Sequence, residues 1–209
     1  MQKADIQERE QRLFETAESQ GGYFTAKQAL RAGYYYRLQL HHKNRGNWDL
    51  IDRGVYRLRN FPNSPHEDLI RWSLWSHNRK GEPQVVFSHQ TALSLHGIGD
   101  VMPSKIHFSV TRTFRKPIPG GCVIHRVIQL EDIERNDGFL VTSPLRTLLD
   151  VSDEGEMDPD HLRRCFEDAL KRGLVSLDDL KTRAQTETAQ KLLSAIDYAR
   201  GQSQETQHV

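Results

Sequence analysis

The chain has 209 residues, with 29 Lys and Arg against 28 Asp and Glu and a formal net charge of +1. Its 36% of hydrophobic residues excludes a disordered polyelectrolyte, and its length suits one large or two small cores. No run reaches the ~20 apolar residues that span a bilayer, and the N-terminus lacks the apolar stretch of a signal peptide. Cys122 and Cys165 are far apart and neither belongs to a CxxC pair, so no disulfide is expected. These features predict a cytoplasmic protein.

Residues 4–20 read as a polar helix whose buried edge is Leu13, Phe14 and Ala17. The next stretch, Gly21 to Leu58, contains two helix patterns, a turn and a basic hairpin. Thr25 caps a short helix carrying Ala29 and Leu30; Gly33 supplies a turn, and a second helix runs from near Tyr34 to Gly46. Two β-prone runs follow, Trp48 to Ile51 and Val55 to Leu58, around Asp52, Arg53 and Gly54, as a hairpin requires. The order is that of a winged helix-turn-helix.

From Lys27 to Arg59 there are eight basic residues against Asp49 and Asp52, a net +6, which suits a polyphosphate. The second helix would turn its first residues to base edges in the major groove while the wing reaches phosphate or the minor groove. The DNA-facing set is Thr25, Tyr34, Tyr35, Arg37, His41, Lys43, Arg53 and Arg57, with Arg37 as the leading contact. The buried face of this helix would pass through Tyr35, Leu38 and His41 or His42, and Tyr36 is a candidate core aromatic.

Phe61 to Pro65 carries two prolines and marks the best boundary, giving a DNA-binding domain of residues 1–62 and an α+β domain of residues 63–200. The second domain opens with a helix rich in Leu69, Ile70, Trp72, Leu74 and Trp75. A strand at Gln84 to Phe87 leads into a helix capped by Ser88 and ended by Gly97. Lys105 to Thr111 alternates, with Ile106, Phe108 and Val110 on one side, and Cys122 to Val127 returns after a basic Pro/Gly loop holding Arg112, Arg115 and Lys116. Leu140 and Val141 form a short strand. Ser143 and Pro144 start a helix with Leu145, Leu148 and Leu149 inward, and Asp158 to Arg172 is a helix started by Pro159 and stopped by Gly173, with i,i+4 ion pairs outside. Ser176 caps a further helix. Thr188 to Arg200 closes the domain with Leu192, Leu193 and Ile196 inward, and residues 201–209 form a polar, disordered tail. From Asp150 onward thirteen acidic residues face eight basic ones, so the back half is acidic where the front is basic.

Catalytic patterns are scarce. HExxH, P-loop and GxSxG motifs are missing from the sequence. His89 and His96 lie seven residues apart on one helix face and His107 approaches from the next strand, a three-histidine metal arrangement weighed against histidines that only satisfy buried hydrogen bonds. Cys165 lies on the apolar stripe Leu162, Cys165, Phe166, Ala169, Leu170 and reads as core. No cofactor and no enzymatic activity are expected.

Several ordered blocks resemble a known family. GGYFTAKQALRAGYYYRLQLHHKNRGNWDLIDRGVYRL, VVFSHQTALSLHGIGDVMPSKIHFSVTR, the His125-Arg126 pair, GFLVTSPLRTLLD and FEDALKRGLVSLDDL are together similar to AbiEi-type antitoxins of bacterial abortive-infection systems. The chain departs from that pattern at Gln39 and His42, where such proteins usually carry Leu. The resemblance implies a type IV antitoxin that represses its own operon by binding inverted repeats as two copies. It further implies a second domain that opposes a nucleotidyltransferase-like toxin encoded by the adjacent gene. The alternative is a stand-alone winged-helix transcriptional regulator whose second domain senses a ligand or dimerises; a pure interaction scaffold would show no DNA affinity.

Overall fold

The structure, a computed structural model, describes residues 3–118, 120–184, 186, 187, 189–191, 193, 194 and 196. Its fold is mixed α+β, with eight helices and two sheets among the described residues. Contacts divide the chain into two units: Met1–Val85 with Arg135–Leu140, and Val86–Glu134 with Val141–Val209. Among the described residues, no helix is long and apolar enough to cross a membrane.

The first unit runs α1 (Lys3–Glu18), β1 (Tyr23–Thr25), α2 (Ala26–Arg31), α3 (Tyr36–Asn44), β2 (Trp48–Asp52), β3 (Val55–Leu58) and α4 (Glu67–Ser76). Its antiparallel sheet has the order β1-β3-β2, with Tyr56 facing Phe24 on one side and Leu50 on the other. Thr25 caps α2 reciprocally: its hydroxyl accepts from Gln28 N–H at 3.2 Å while Gln28 Oε1 accepts from Thr25 N–H at 2.7 Å. The core gathers Leu13, Ala17, Phe24, Ala29, Ala32, Tyr34 and Trp48. Phe14, expected inside with Leu13 and Ala17, is exposed beside Phe61.

The expected boundary at residue 62 differs from the observed division, which places α4 in the first unit. The reason is local. Tyr23 Oη donates to Glu67 at 3.0 Å, and one nitrogen of the Arg57 guanidinium reaches Phe61 O, Pro62 O, Asn63 Oδ1 and Glu67 within 3.3 Å. The proline segment is thus wrapped around a buried cation instead of acting as a free linker. Gly138, at φ +82°, lies against the Gln20 backbone and Ile70, which accounts for Arg135–Leu140 in the same unit.

The second unit contains β4 (Val86–Phe87), α5 (His89–His96), β5 (Ile106–Thr111), β6 (Cys122–Val127), α6 (Pro144–Glu154), α7 (Pro159–Lys171) and α8 (Leu177–Arg183); the residues of β7 (Ile133–Asn136) and β8 (Phe139–Thr142), which precede α6, are divided between the two units. The sheet order is β6-β5-β4-β8-β7. β5 and β6 are parallel, with Ile106 facing Cys122 and Thr111 facing Val127, so the two strands are not joined as a hairpin. The alternation expected in β5 also gives way: His107, Phe108, Ser109 and Val110 are all buried, as in a strand covered on both faces.

The helix starts follow the side-chain caps, with Ser143, Asp158 and Ser176 accepting from Arg146, His161 and Asp179 N–H. Leu93, Ile98, Leu148, Phe166, Leu180 and Leu193 share one core with Cys165, which is fully buried as expected. On the outer face of α7, Arg163 pairs with Glu167 and Arg172 with Asp168. Leu193 and Ile196 are buried, while Thr188, Leu192 and residues 197–209 lie outside the described residues.

Gly99 adopts φ +68°, and a Cβ there would overlap Cys165 Sγ. Gly99→Ala should therefore cost on the order of 2–4 kcal/mol, from overpacking plus the left-handed backbone. In urea denaturation, the double variant Gly99→Ala/Cys165→Ala should recover part of that loss; an undiminished loss would show that the backbone alone sets the cost.

Candidate nucleic-acid interface

α3 is held by polar and aromatic contacts in place of an aliphatic stripe. Gln39 is buried, and its Nε2 donates to Tyr34 O at 2.7 Å and to Ala26 O at 3.1 Å, joining α3 to the start of α2. His42 stacks on Trp48 with centroids 4.8 Å apart and planes at 18°, and Asn47 Nδ2 lies 3.2 Å from His42 Nδ1. Tyr34 meets the same indole edge-on at 5.0 Å, and the Arg9 guanidinium lies over the Tyr34 ring, 4.7 Å from its centroid. Trp48 also meets Phe24 edge-on at 4.9 Å. The buried side of α3 is therefore Leu38, Gln39 and His42.

The opposite side is open. Tyr35 and Tyr36 are 69% and 75% exposed, and Arg37, Leu40, His41 and Lys43 are exposed with them. At the hairpin between β2 and β3, Gly54 takes φ +75° and its carbonyl accepts from Ala26 N–H at 2.8 Å, tying the turn to the start of α2. Arg53 sits exposed at that turn, its N–H bonded to Asp52 Oδ1. Arg37, Lys43, Arg45 and Arg53 have no carboxylate partner among the described residues, whereas Arg59 pairs with Asp49 at 3.1 Å.

Five residues of the expected set, Tyr35, Arg37, His41, Lys43 and Arg53, are thus exposed, four on α3 or its cap and one at the hairpin. Three are not free to meet a ligand in the expected way. Tyr34 is 2% exposed and belongs to the core, because its ring closes the aromatic group around Trp48. The Arg57 side chain is 12% exposed and its guanidinium is committed to Glu67 and the 61–63 segment. Thr25 is half-buried and spends its hydroxyl on the cap of α2. Tyr35 and His41 are also corrected as candidate core residues, since both face outward, and Tyr36 is exposed rather than core. The residue missed is Arg45, exposed just beyond α3; its spacing of i, i+4, i+8 with Arg37 and His41 was the available signal.

In the second unit the three histidines weighed as a metal arrangement, and set aside in favour of no metal, only partly assemble. His96 turns away, its Nε2 2.8 Å from Thr142 O. His89 and His107 do approach one another, and the parallel pairing of β5 with β6 adds His125. The His89 and His125 rings stack at 3.4 Å and 11°, His107 Nδ1 lies 3.2 Å from His125 Nε2, and Glu154 Oε1 lies 3.4 Å from His125 Nδ1. Burial, followed by the neighbouring imidazoles, pushes His89 down to about 2 and His125 down to about 4, so both rings are neutral near pH 7. Cys165 is no nucleophile in this setting, since burial raises its thiol to about 11.

No protein-family model matches the chain, and no curated protein matches it in sequence. Among solved structures it is similar to the RV2827C protein from Mycobacterium tuberculosis, at 12% identity over 89% of this chain and 80% of that one, with a TM-score of 0.43.

Burial lowers the pKa of His42 below 6.5, with His41 and Arg9 acting in the same direction. A lowered folded-state value means that the unfolded chain binds the extra proton first. This contribution to stability is therefore full above pH 6.5 and is lost as pH falls through the folded value. A ring titration by NMR should place the His42 midpoint below 6.5; a midpoint at or above 6.5 would contradict the stack on Trp48.

Proposed function

We propose that the first unit is a winged helix-turn-helix that binds operator DNA, with α2 and α3 as the helix pair and the β2–β3 hairpin as the wing. The observation that carries this reading is the outer side of α3, where Tyr35, Tyr36, Arg37, His41 and Lys43 stand exposed beside Arg45 and no carboxylate neutralises the three cations among the described residues. A helix of that surface fits the major groove, with Arg37 in its first turns aimed at base edges and Lys43 and Arg45 at phosphate. Arg53 is placed on the turn for a phosphate or minor-groove contact. Tyr35 and Tyr36 supply hydroxyls for phosphate and flat faces for sugar or base.

The resemblance of the blocks at Val85 to Arg112, Gly138 to Asp150 and Phe166 to Leu180 supports an antitoxin role. In this reading the chain represses its own operon by occupying inverted repeats over the promoter as two copies. The rest of the chain antagonises a nucleotidyltransferase-like toxin from the adjacent gene, without need of a stable complex. Neither activity calls for catalysis by this chain, and we propose no enzymatic function.

Fluorescence anisotropy with the promoter fragment upstream of the gene tests the DNA half. Arg37→Ala should weaken binding by about 1–3 kcal/mol, and Lys43→Ala should reduce the slope of log affinity against log salt by about one. Arg57→Ala should leave that slope unchanged while lowering stability; a loss of slope with Arg57→Ala and none with Arg37→Ala would place the interface elsewhere. Co-expression with the adjacent gene product tests the other half. The full chain should restore host growth, and Arg37→Ala should restore it equally, because antagonism does not use the operator contact. If the full chain fails to rescue a toxic neighbour, or the neighbour is harmless, the antitoxin reading falls and a stand-alone regulator takes its place.

A further inference from the structure

We propose that His89, His125 and Glu154 form a binding site for a divalent transition-metal ion of the Zn²⁺ class, with His107 orienting one of the ligands. This inference stands apart from the DNA reading and draws only on the second unit.

Three elements distant in sequence converge here: the start of α5 supplies His89, β6 supplies His125 and the last turn of α6 supplies Glu154. One potential ligand atom from each lies within 4.8 Å of the others. The 3.4 Å between His125 Nδ1 and Glu154 Oε1 is long for a charge-assisted hydrogen bond of about 2.7–2.9 Å. It matches the spacing of about 3.3 Å between two ligands on a tetrahedral ion with bonds of about 2.0–2.1 Å. Two imidazole nitrogens and one carboxylate oxygen form the His₂Glu donor set that zinc accepts with a fourth position left open, whereas Mg²⁺ and Ca²⁺ favour oxygen alone.

The surroundings supply what such a site needs beyond its ligands. Glu154 is largely buried, and among the described residues its one ion-pair contact is the imidazole of His125, with no Arg or Lys beside it. By contrast Asp150, one turn earlier, has Arg146 at 2.6 Å. The carboxylate of Glu154 therefore lacks a cation that a divalent ion would provide. With His125 Nε2–H donating to His107 Nδ1, 3.2 Å away, His125 Nδ1 is the nitrogen left for the metal. Ser88 Oγ stands 2.9 Å from His89 Nδ1 and is itself held by Ser109, which leaves Nε2 as the nitrogen for an ion once the ring turns out of its stack on His125. His89 also occupies a left-handed backbone conformation, φ 51°, uncommon for a residue with a Cβ. An ion bound here would clamp β6 and the start of α5 to the end of α6.

The untagged full chain, stripped with a chelator and dialysed, is titrated with ZnCl₂ by calorimetry, and Co²⁺ is used in parallel for its visible absorption. The expected result is one ion per chain, a Co²⁺ band typical of tetrahedral nitrogen and oxygen ligation, and a higher unfolding temperature with Zn²⁺. His125→Gln and Glu154→Gln should each abolish stoichiometric uptake while circular dichroism stays that of the wild type. His107→Gln, which removes only the orienting contact, should weaken it about 10–100-fold. Failure of the wild-type chain to take up Zn²⁺ at 100-fold molar excess would overturn the proposal without reference to any variant. So would uptake that survives unchanged in both His125→Gln and Glu154→Gln, which would place the ion on surface histidines.

Discussion

Much of the first unit depends on how Trp48 is packed. Its indole takes Phe24 and Tyr34 edge-on and His42 face-on, so one side chain at the start of β2 touches β1, the turn before α3 and the last turn of α3. Aromatic pairs of this kind add about 0.5–1.5 kcal/mol each beyond the area they bury. Their larger effect is geometric. With His42 pinned to the indole and Gln39 bonded to the backbone of Ala26 and Tyr34, α3 cannot roll about its axis, and only one set of side chains can face outward. The exposed row from Tyr35 to Lys43 is a consequence of what is buried behind it.

The same principle divides the cations. Of the basic residues between Lys27 and Arg59, Arg57 is consumed by Glu67 and the proline segment, Arg59 meets Asp49, and Arg31 donates to Lys80 O. A formal +6 over that stretch therefore overstates the charge available to a ligand. Arg57 was a reasonable wing candidate by position, since it lies on β3 beyond the hairpin. Its removal from the surface depends on Glu67, ten residues later on a helix assigned by sequence to another domain. Nothing short-range could have signalled that pairing, and the loss of Arg57 from the interface and the shift of the boundary from 62 to 85 have this one cause.

Where local chemistry decides, the sequence was readable. Thr25, Ser143 and Ser176 each cap the helix expected of them, Ser88 holds the N-cap position of α5 without a side-chain cap bond, and Gly97 ends α5 in the left-handed conformation. The hairpin strands β2 and β3 match their β-prone runs to within a residue. Less was readable where pairing over distance decides. β1 has three residues, too few to show a period, and is a strand because β3 supplies its partner. β7 is exposed throughout and Ile133 is its one apolar residue, so no alternation marks it. The parallel arrangement of β5 and β6 left no trace, because a Pro/Gly loop between two apolar runs ordinarily suggests a hairpin.

That parallel pairing also governs the histidines. An antiparallel β6 in place of the observed strand would bring a different residue of the 122–127 run beside His107; the parallel register sets Ser109 opposite His125 and His107 opposite Val123. His125 then reaches both His107 and the ring of His89, while α6 ends with Glu154 at its other nitrogen. Helical spacing pointed to His96 because periodicity sees only neighbours on one element, but His96 is spent on Thr142 O. The two units thus show complementary deficits. α3 and its hairpin carry guanidinium and ammonium groups without acids, which a polyanion would satisfy, and the histidine cluster carries a carboxylate without a cation, which a metal ion would satisfy. In both places a group left unpaired by an otherwise well-satisfied fold is the physical ground for assigning a ligand.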